Sequence, residues 1–200
     1  MTDAAAILCG YLLGSLPFGY WLPRLFRGED IRTRGSGNVG ASNVFRVYGR
    51  RLGIAVALLD IGKGFAAASL GLWAGGALVG VLAASAAMVG HARPIFLRFQ
   101  RGGKMVATAA GATFALAPLA AFCCLGVWVL VFALARYASL ASVATAIVLA
   151  ALVLLLGYPV PIIVFGVAGA GAVIFLHRQN IRRLLGGTEH RFDLRRARRA

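Results

Sequence analysis

The sequence predicts an all-α integral membrane bundle of about seven transmembrane helices, with the N-terminus outside and the C-terminus in the cytoplasm. Three observations predict it. First, 60% of the 200 residues are hydrophobic, 14% are charged, and the mean hydropathy is +0.82. One soluble core cannot hide that much apolar surface, whereas a bilayer replaces water as its solvent. Second, the charge-free runs are long enough to cross a bilayer. Third, the 21 Lys and Arg, set against 6 Asp and Glu for a net charge of +15, lie between those runs. A basic soluble chain would point to nucleic acid. Here anionic headgroups, the positive-inside rule and anionic substrates account for the charge, so nucleic acid is set aside.

The elements follow in order. Residues 4–23 are uncharged and about long enough to cross once. Residues 52–73 form a second span, interrupted only by Asp60 and Lys63, and residues 74–92 a third, with Gly75-Gly76 as the turn between them. The last uncharged run, Tyr137–Leu176, spans roughly 60 Å as helix and so makes two crossings, turning at Gly157-Tyr158-Pro159. By length alone Met105–Ala135 is either one long tilted helix or two short ones around Pro118. Charge decides between them. Two crossings put every basic residue except Lys63 on one side: Arg24 to Arg51, Arg93 to Lys104, Arg136, and Arg178 to Arg199. The positive-inside rule favours that arrangement and places those residues in the cytoplasm.

The chain is expected to be a single domain over residues 1–200, with residues 192–200 a basic tail drawn to anionic lipid. Met-Thr-Asp lacks the positive start of a signal peptide, so the first run is expected to be a retained span. Cys9, Cys123 and Cys124 all lie in apolar runs and read as small buried hydrophobes. No spacing suggests a metal, and none is required.

Chemistry gathers on the cytoplasmic segments. Arg34-Gly-Ser-Gly-Asn-Val-Gly-Ala-Ser-Asn-Val-Phe-Arg46 places glycines before a short helix starting near Gly40, with Ser36 and Asn38 as caps. Such a helix start offers N–H groups and its dipole to an anion, and Asn43 and Arg46 share its face. The plainer reading is a polar surface loop with a topology-setting arginine. Gly102-Gly103-Lys104, opening an apolar helix, repeats the design. It lacks the upstream glycine and the hydrophilic strand–helix unit of a nucleotide-binding P-loop, so anion binding stands against a charged interfacial turn. In the third segment, His177 and Asn180 lie three apart on one face at the end of the last span, and neither is needed as an anchor. Ser139 and Ser142 open the sixth span, where serines often bond only a backbone carbonyl. Asp60 and Lys63 are expected to pair within the membrane as a structural ion pair.

Six segments in order resemble the bacterial acyl-phosphate:glycerol-3-phosphate acyltransferases over essentially the whole chain. They are Gly14-Ser-Leu-Pro-Phe-Gly19, Ser36 to Arg46, Leu59-Asp-Ile-Gly-Lys-Gly64, Gly102-Gly-Lys104 with Val106-Ala-Thr108, Arg136-Tyr-Ala-Ser-Leu-Ala-Ser142, and His177 to Glu189. The resemblance implies a seven-span enzyme of the bacterial inner membrane that works without a cofactor. It implies transfer of a fatty acyl group from acyl phosphate to the sn-1 hydroxyl of glycerol 3-phosphate, giving lysophosphatidic acid. On this reading Ser36, Gly37, Asn38, Gly40, Asn43, Arg46, Gly103 and Lys104 hold phosphate, while His177, Asn180 and Ser142 serve the reacting groups. The His-x-x-x-x-Asp motif of soluble-type acyltransferases is absent.

The second segment departs from the family pattern. Phe99-Gln-Arg-Gly-Gly-Lys carries one extra residue, Met105 replaces the glycine after the lysine, and Arg93 stands where an aromatic is usual. A methionine disfavours positive φ where the backbone would approach a ligand, so Lys104 is expected to sit differently. Two other readings stay open: a small transporter for an anionic metabolite, which would need a polar path to the outer face, and a divergent relative without activity.

Overall fold

The structure is a computed structural model that describes residues 2–192. Among these residues it is all helical: α1 (Asp3–Ser15), α2 (Phe18–Arg27), α3 (Ala41–Tyr48), α4 (Arg50–Ala92), α5 (Val106–Leu116), α6 (Pro118–Ala135), α7 (Ala138–Leu155), α8 (Val160–Leu176) and α9 (Arg178–Leu185). The tail from residue 193 onward lies outside the described residues, as does any lipid contact of its arginines.

Each apolar run becomes helix, and each break has a local cause. The first run divides at Leu16-Pro17, where proline supplies no N–H to continue the ladder. Helix α4 turns back on itself at Gly75-Gly76, whose φ values are −156° and +72°. The reversal is plain from Asp60 and His91, 31 positions apart in sequence, whose side chains come within 3.6 Å. Pro118 sits in the first turn of α6, where its missing N–H costs nothing. Gly157, at φ +64°, begins the turn between α7 and α8. Among the described residues, four helical stretches are long and apolar enough to cross a membrane, or five if the α8–α9 pair, bent by 59°, is one span. That count takes the two arms of α4 together and leaves out the shorter α5.

Small residues set the packing. Gly10 and Gly14, four apart on α1, lie on the backbone of Ala83 and Ala87, four apart on the returning arm of α4. Gly64 of α4 meets the Thr108 backbone of α5, and Gly111 of α5 meets Ile61. A Cβ at any of these glycines would collide with main chain. This is close approach of the kind apolar solvents favour, because association there depends on contact rather than water release. The largest buried cluster, around Val81, Met88, Leu116, Val153 and Phe165, joins α4, α5, α7 and α8.

The two ends of the bundle differ. Asp3 lies beside the Gly75 turn at one end. At the other end the basic segments converge: Arg32 donates to Gln100 at 2.7 Å, Arg46 stacks on Phe192, and the Phe192 N–H donates to the Arg136 carbonyl at 2.8 Å. Between the ends, Lys63 and Asp60 form a buried pair at 2.8 Å, each side chain 2% exposed. Lys63 also donates to the Leu16 carbonyl at 2.8 Å, just past the end of α1.

Candidate active site

The glycine-rich loop before α3 is built around Asn43. Its Oδ1 accepts the Ser36 N–H at 3.0 Å, and its Nδ2 donates to the carbonyls of Arg34 at 3.0 Å and Asn38 at 2.9 Å. The side chain is 2% exposed, and its polar groups are spent on the loop. Asn38 does similar work between loops: its Oδ1 accepts the Gly40 N–H at 2.8 Å and its Nδ2 donates to the Gly102 carbonyl at 3.2 Å. Gly35 and Gly37 take the left-handed conformations the loop requires, at φ +56° and +69°.

The second loop closes on α4. Gly102 and Gly103 donate their N–H groups to the carbonyls of Ala92 (2.9 Å) and His91 (3.0 Å). A Cβ at Gly103 would strike the His91 ring. Arg98 and Phe99 of this loop both lie in the left-handed region, at φ +52° and +59°. Met105 adopts φ +68° despite its side chain. That conformation costs about 1–2 kcal/mol in an L-residue, and the side chain offsets part of it by packing on two apolar clusters. Lys104 still projects toward α9, where its Nζ donates to Asn180 Oδ1 at 2.5 Å.

Asn180 is a junction. Its Nδ2 donates to Glu189 Oε1 at 2.6 Å, so its oxygen is turned to Lys104 and its nitrogen to the carboxylate. Glu189 also accepts from Ser139 Oγ at 2.8 Å and from Arg183 Nε at 2.7 Å, and its side chain is only 5% exposed. Burial pushes the Glu189 carboxyl up, but the hydrogen bonds from Asn180, Arg183 and Ser139 outweigh it and hold the group below the usual range. Burial pushes the Lys104 ammonium down to about 8, with Arg183, Arg101 and Arg46 adding repulsion and Glu189 opposing.

His177 sits where α8 bends into α9 and is 4% exposed. Its Nδ1 lies 2.8 Å from the Val173 carbonyl, which can only accept. Nδ1 therefore carries the proton, and Nε2 presents a lone pair. Arg46 reaches the site from α3, 4.7 Å above the Phe192 ring, with its Nε buried and without a partner among the described residues. Burial lowers its pKa.

These side chains surround the polar end of a cavity of about 480 Å³. Its other walls are mainly apolar, with Ile54, Ala57 and Ile61 of α4, Phe114 of α5, Leu125, Trp128 and Phe132 of α6, and Leu149 of α7, interrupted by Asp60, His91, Thr113 and Thr145. A second cavity of about 110 Å³ adjoins it, bounded by Ser36, Gly37, Asn38, Arg101, Lys104, Gln179, Asn180, Arg183 and His190. One compartment suits a hydrocarbon chain and the other a small anion. Among the described residues no group of three His, Cys, Asp or Glu is placed to hold a metal.

The structure thus brings Ser36, Asn38, Gly40, Asn43, Arg46, Lys104, His177, Asn180 and Ser142 to one cavity, with Gly37 on the adjoining one. Gly103 is packed against His91 behind Lys104. The Ser142 hydroxyl donates to the Ala138 carbonyl at 2.7 Å and accepts from Trp128 Nε1 at 3.3 Å, so its proton is spent on backbone. Three residues outside the expected set complete the arrangement: Glu189, Ser139 and Phe192. Glu189 was visible in sequence as the acidic residue ending the last family-like segment, and Ser139 as a serine at the start of the sixth span; nothing local marked Phe192.

The whole chain has known relatives. Residues 4–187 match the family model for glycerol-3-phosphate acyltransferase. The glycerol-3-phosphate acyltransferase of Synechococcus sp. (strain JA-2-3B'a(2-13)) is 45% identical over 96% of this chain and 95% of its own. Glycerol-3-phosphate acyltransferase 2 of Moorella thermoacetica is 46% identical over 95% of this chain and 97% of its own. Among solved structures, the glycerol 3-phosphate form of PlsY, an integral membrane glycerol 3-phosphate acyltransferase, superposes with a TM-score of 0.91 at 40% identity, covering 96% of each chain. Its lysophosphatidic acid form gives 0.89 at 37% identity over 99% of each. Matches of this length and identity, on a fold that agrees throughout, place the chain in the glycerol-3-phosphate acyltransferase family.

Proposed function

We propose that the chain, as one domain in the bacterial inner membrane, transfers a fatty acyl group from acyl phosphate to the sn-1 hydroxyl of glycerol 3-phosphate, forming lysophosphatidic acid. The observation that carries this reading is the paired cavity: a small basic compartment adjoining a larger, mainly apolar one, with His177 and Arg46 on the larger cavity's wall. Lys104 and Arg46 hold phosphate, and the Ser36–Gly40 loop, whose Ser36, Gly37 and Gly40 N–H groups are bonded within the loop itself, forms the wall beside them. Asn43 shapes that loop, Asn180 and Glu189 aim Lys104, and Ser142 shapes the wall at the start of α7. The hydroxyl oxygen attacks the acyl carbonyl carbon, the carbonyl–oxygen bond to phosphate breaks, and inorganic phosphate leaves. His177 Nε2 and a substrate phosphate oxygen are the two acceptors for the hydroxyl proton. An acyl phosphate has a good leaving group, so positioning and fixed charge supply much of the acceleration.

The reading includes seven crossings, with the N-terminus outside and the site at the cytoplasmic face. The separation of Asp3 and the Gly75 turn from the convergent basic segments supports it. Purified protein in detergent, given acyl phosphate and glycerol 3-phosphate, is expected to release lysophosphatidate and phosphate in equal amounts. The Lys104→Ala variant should lose most activity at limiting glycerol 3-phosphate. Absence of product from folded wild type overturns the activity, and near-normal Lys104→Ala overturns the cradle. A normal turnover in His177→Gln leaves substrate phosphate as the proton acceptor.

A further inference from the structure

Arg46 differs from Lys104 and Arg183, the other lysine and arginine side chains on the larger cavity. Lys104 is tied to Asn180 and Arg183 to Glu189, but Arg46 takes part in no ion pair among the described residues, and its buried Nε lacks a hydrogen-bond partner there. A long guanidinium held in one place without a carboxylate needs another constraint, because fixing its rotamers costs entropy. That constraint is the ring of Phe192, with the Arg46 Cζ 4.7 Å from its centroid. The ring is itself pinned. It is 6% exposed and packs edge-on against Phe45 of α3 at 5.5 Å and Phe132 of α6 at 5.2 Å, and its backbone N–H is bound to the Arg136 carbonyl.

We propose that Phe192 is a positioning residue that presents Arg46 to a substrate phosphate; the inference rests on the reading of Arg46 as part of the phosphate cradle. The physical logic lies in which side of the guanidinium is occupied. A carboxylate would take the planar N–H edge and cancel the charge. An aromatic ring takes only the flat face, leaving charge and N–H fork free for an anion. Phe192 therefore holds Arg46 without competing for its ligand. The residue lies beyond the span matched by the family model, in the stretch that sequence alone assigns to the tail.

The test uses the full chain in detergent with Phe192→Ala, Phe192→Leu, Phe192→Tyr, Arg46→Ala and the Arg46→Ala/Phe192→Ala pair. It reads inorganic phosphate affinity by calorimetry, and KM and kcat for glycerol 3-phosphate. Phe192→Ala is expected to weaken phosphate binding and raise KM by roughly threefold to thirtyfold with little change in kcat. Phe192→Tyr, which keeps the π face, should stay near wild type, and Phe192→Leu, which keeps bulk alone, should follow Phe192→Ala. The pair should be no worse than Arg46→Ala. Equal behaviour of the Leu and Tyr variants overturns the proposal, as does a full additional loss in the pair. Unchanged values in Phe192→Ala overturn it while leaving the transferase intact. Wild type that makes no product, yet loses phosphate affinity on Phe192→Ala, overturns the transferase and supports the proposal.

Discussion

Asn180→Asp changes one atom type and almost no volume, yet it should disable the site. In the structure the amide nitrogen donates to Glu189 Oε1 at 2.6 Å while the amide oxygen faces Lys104. The substitution puts a carboxylate oxygen where the donor was, directly against a carboxylate. Two such groups at hydrogen-bond distance cannot both stay ionised, so one takes a proton or Glu189 withdraws. A hydrogen bond to a charged group contributes about 1.5–3 kcal/mol, and its loss equates to roughly tenfold to hundredfold. Lysophosphatidate formation at limiting glycerol 3-phosphate should fall by that factor. Adding Glu189→Gln restores a donor opposite the new carboxylate, so the double variant should regain about tenfold over Asn180→Asp alone. An Asn180→Asp variant within twofold of wild type would refute the reasoning. So would a double variant that simply multiplies the two single losses, because the two side chains would then act independently.

Three further outcomes are expected. The Lys104 ammonium is pushed down to about 8 by burial, so its charge is present below that pH and lost above it; kcat/KM for glycerol 3-phosphate should decline as pH rises through about 8, and Lys104→Arg should abolish that limb if it retains activity. At Met105, Ala keeps the left-handed strain and loses packing, whereas Gly removes the strain. Met105→Gly should therefore melt above Met105→Ala by about 1 kcal/mol equivalent, the reverse of the usual helix order, in thermal unfolding in detergent. Lys63→Met strands the buried Asp60 carboxylate and should destabilise by about 3–5 kcal/mol, with Asp60→Leu added in the same chain recovering most of the melting temperature.

Sequence alone determined the helical membrane class, the breaks at Gly75-Gly76, Pro118 and Gly157, and the grouping of the glycine-rich and basic segments. Those features depend on local chemistry: run length against bilayer thickness, prolines without N–H, glycines at positive φ, and charge that resists leaving water. It also singled out Asp60 with Lys63, because two charges inside an apolar run must find each other. It could not show that Asn43 is spent on its own loop, that Ser139 joins the Glu189 network while Ser142 bonds its own helix, or that Met105 accepts φ +68°. The two serines lie three apart on one face, and only the packing of α7 against its neighbours decides which meets the carboxylate. The Lys104–Asn180 contact joins residues 76 positions apart, and the Arg46–Phe192 stack joins α3 to the last described residue. No periodicity records such meetings. They exist because helices packed through small residues bring four separate segments to one end of the bundle, and that convergence is decided by tertiary structure.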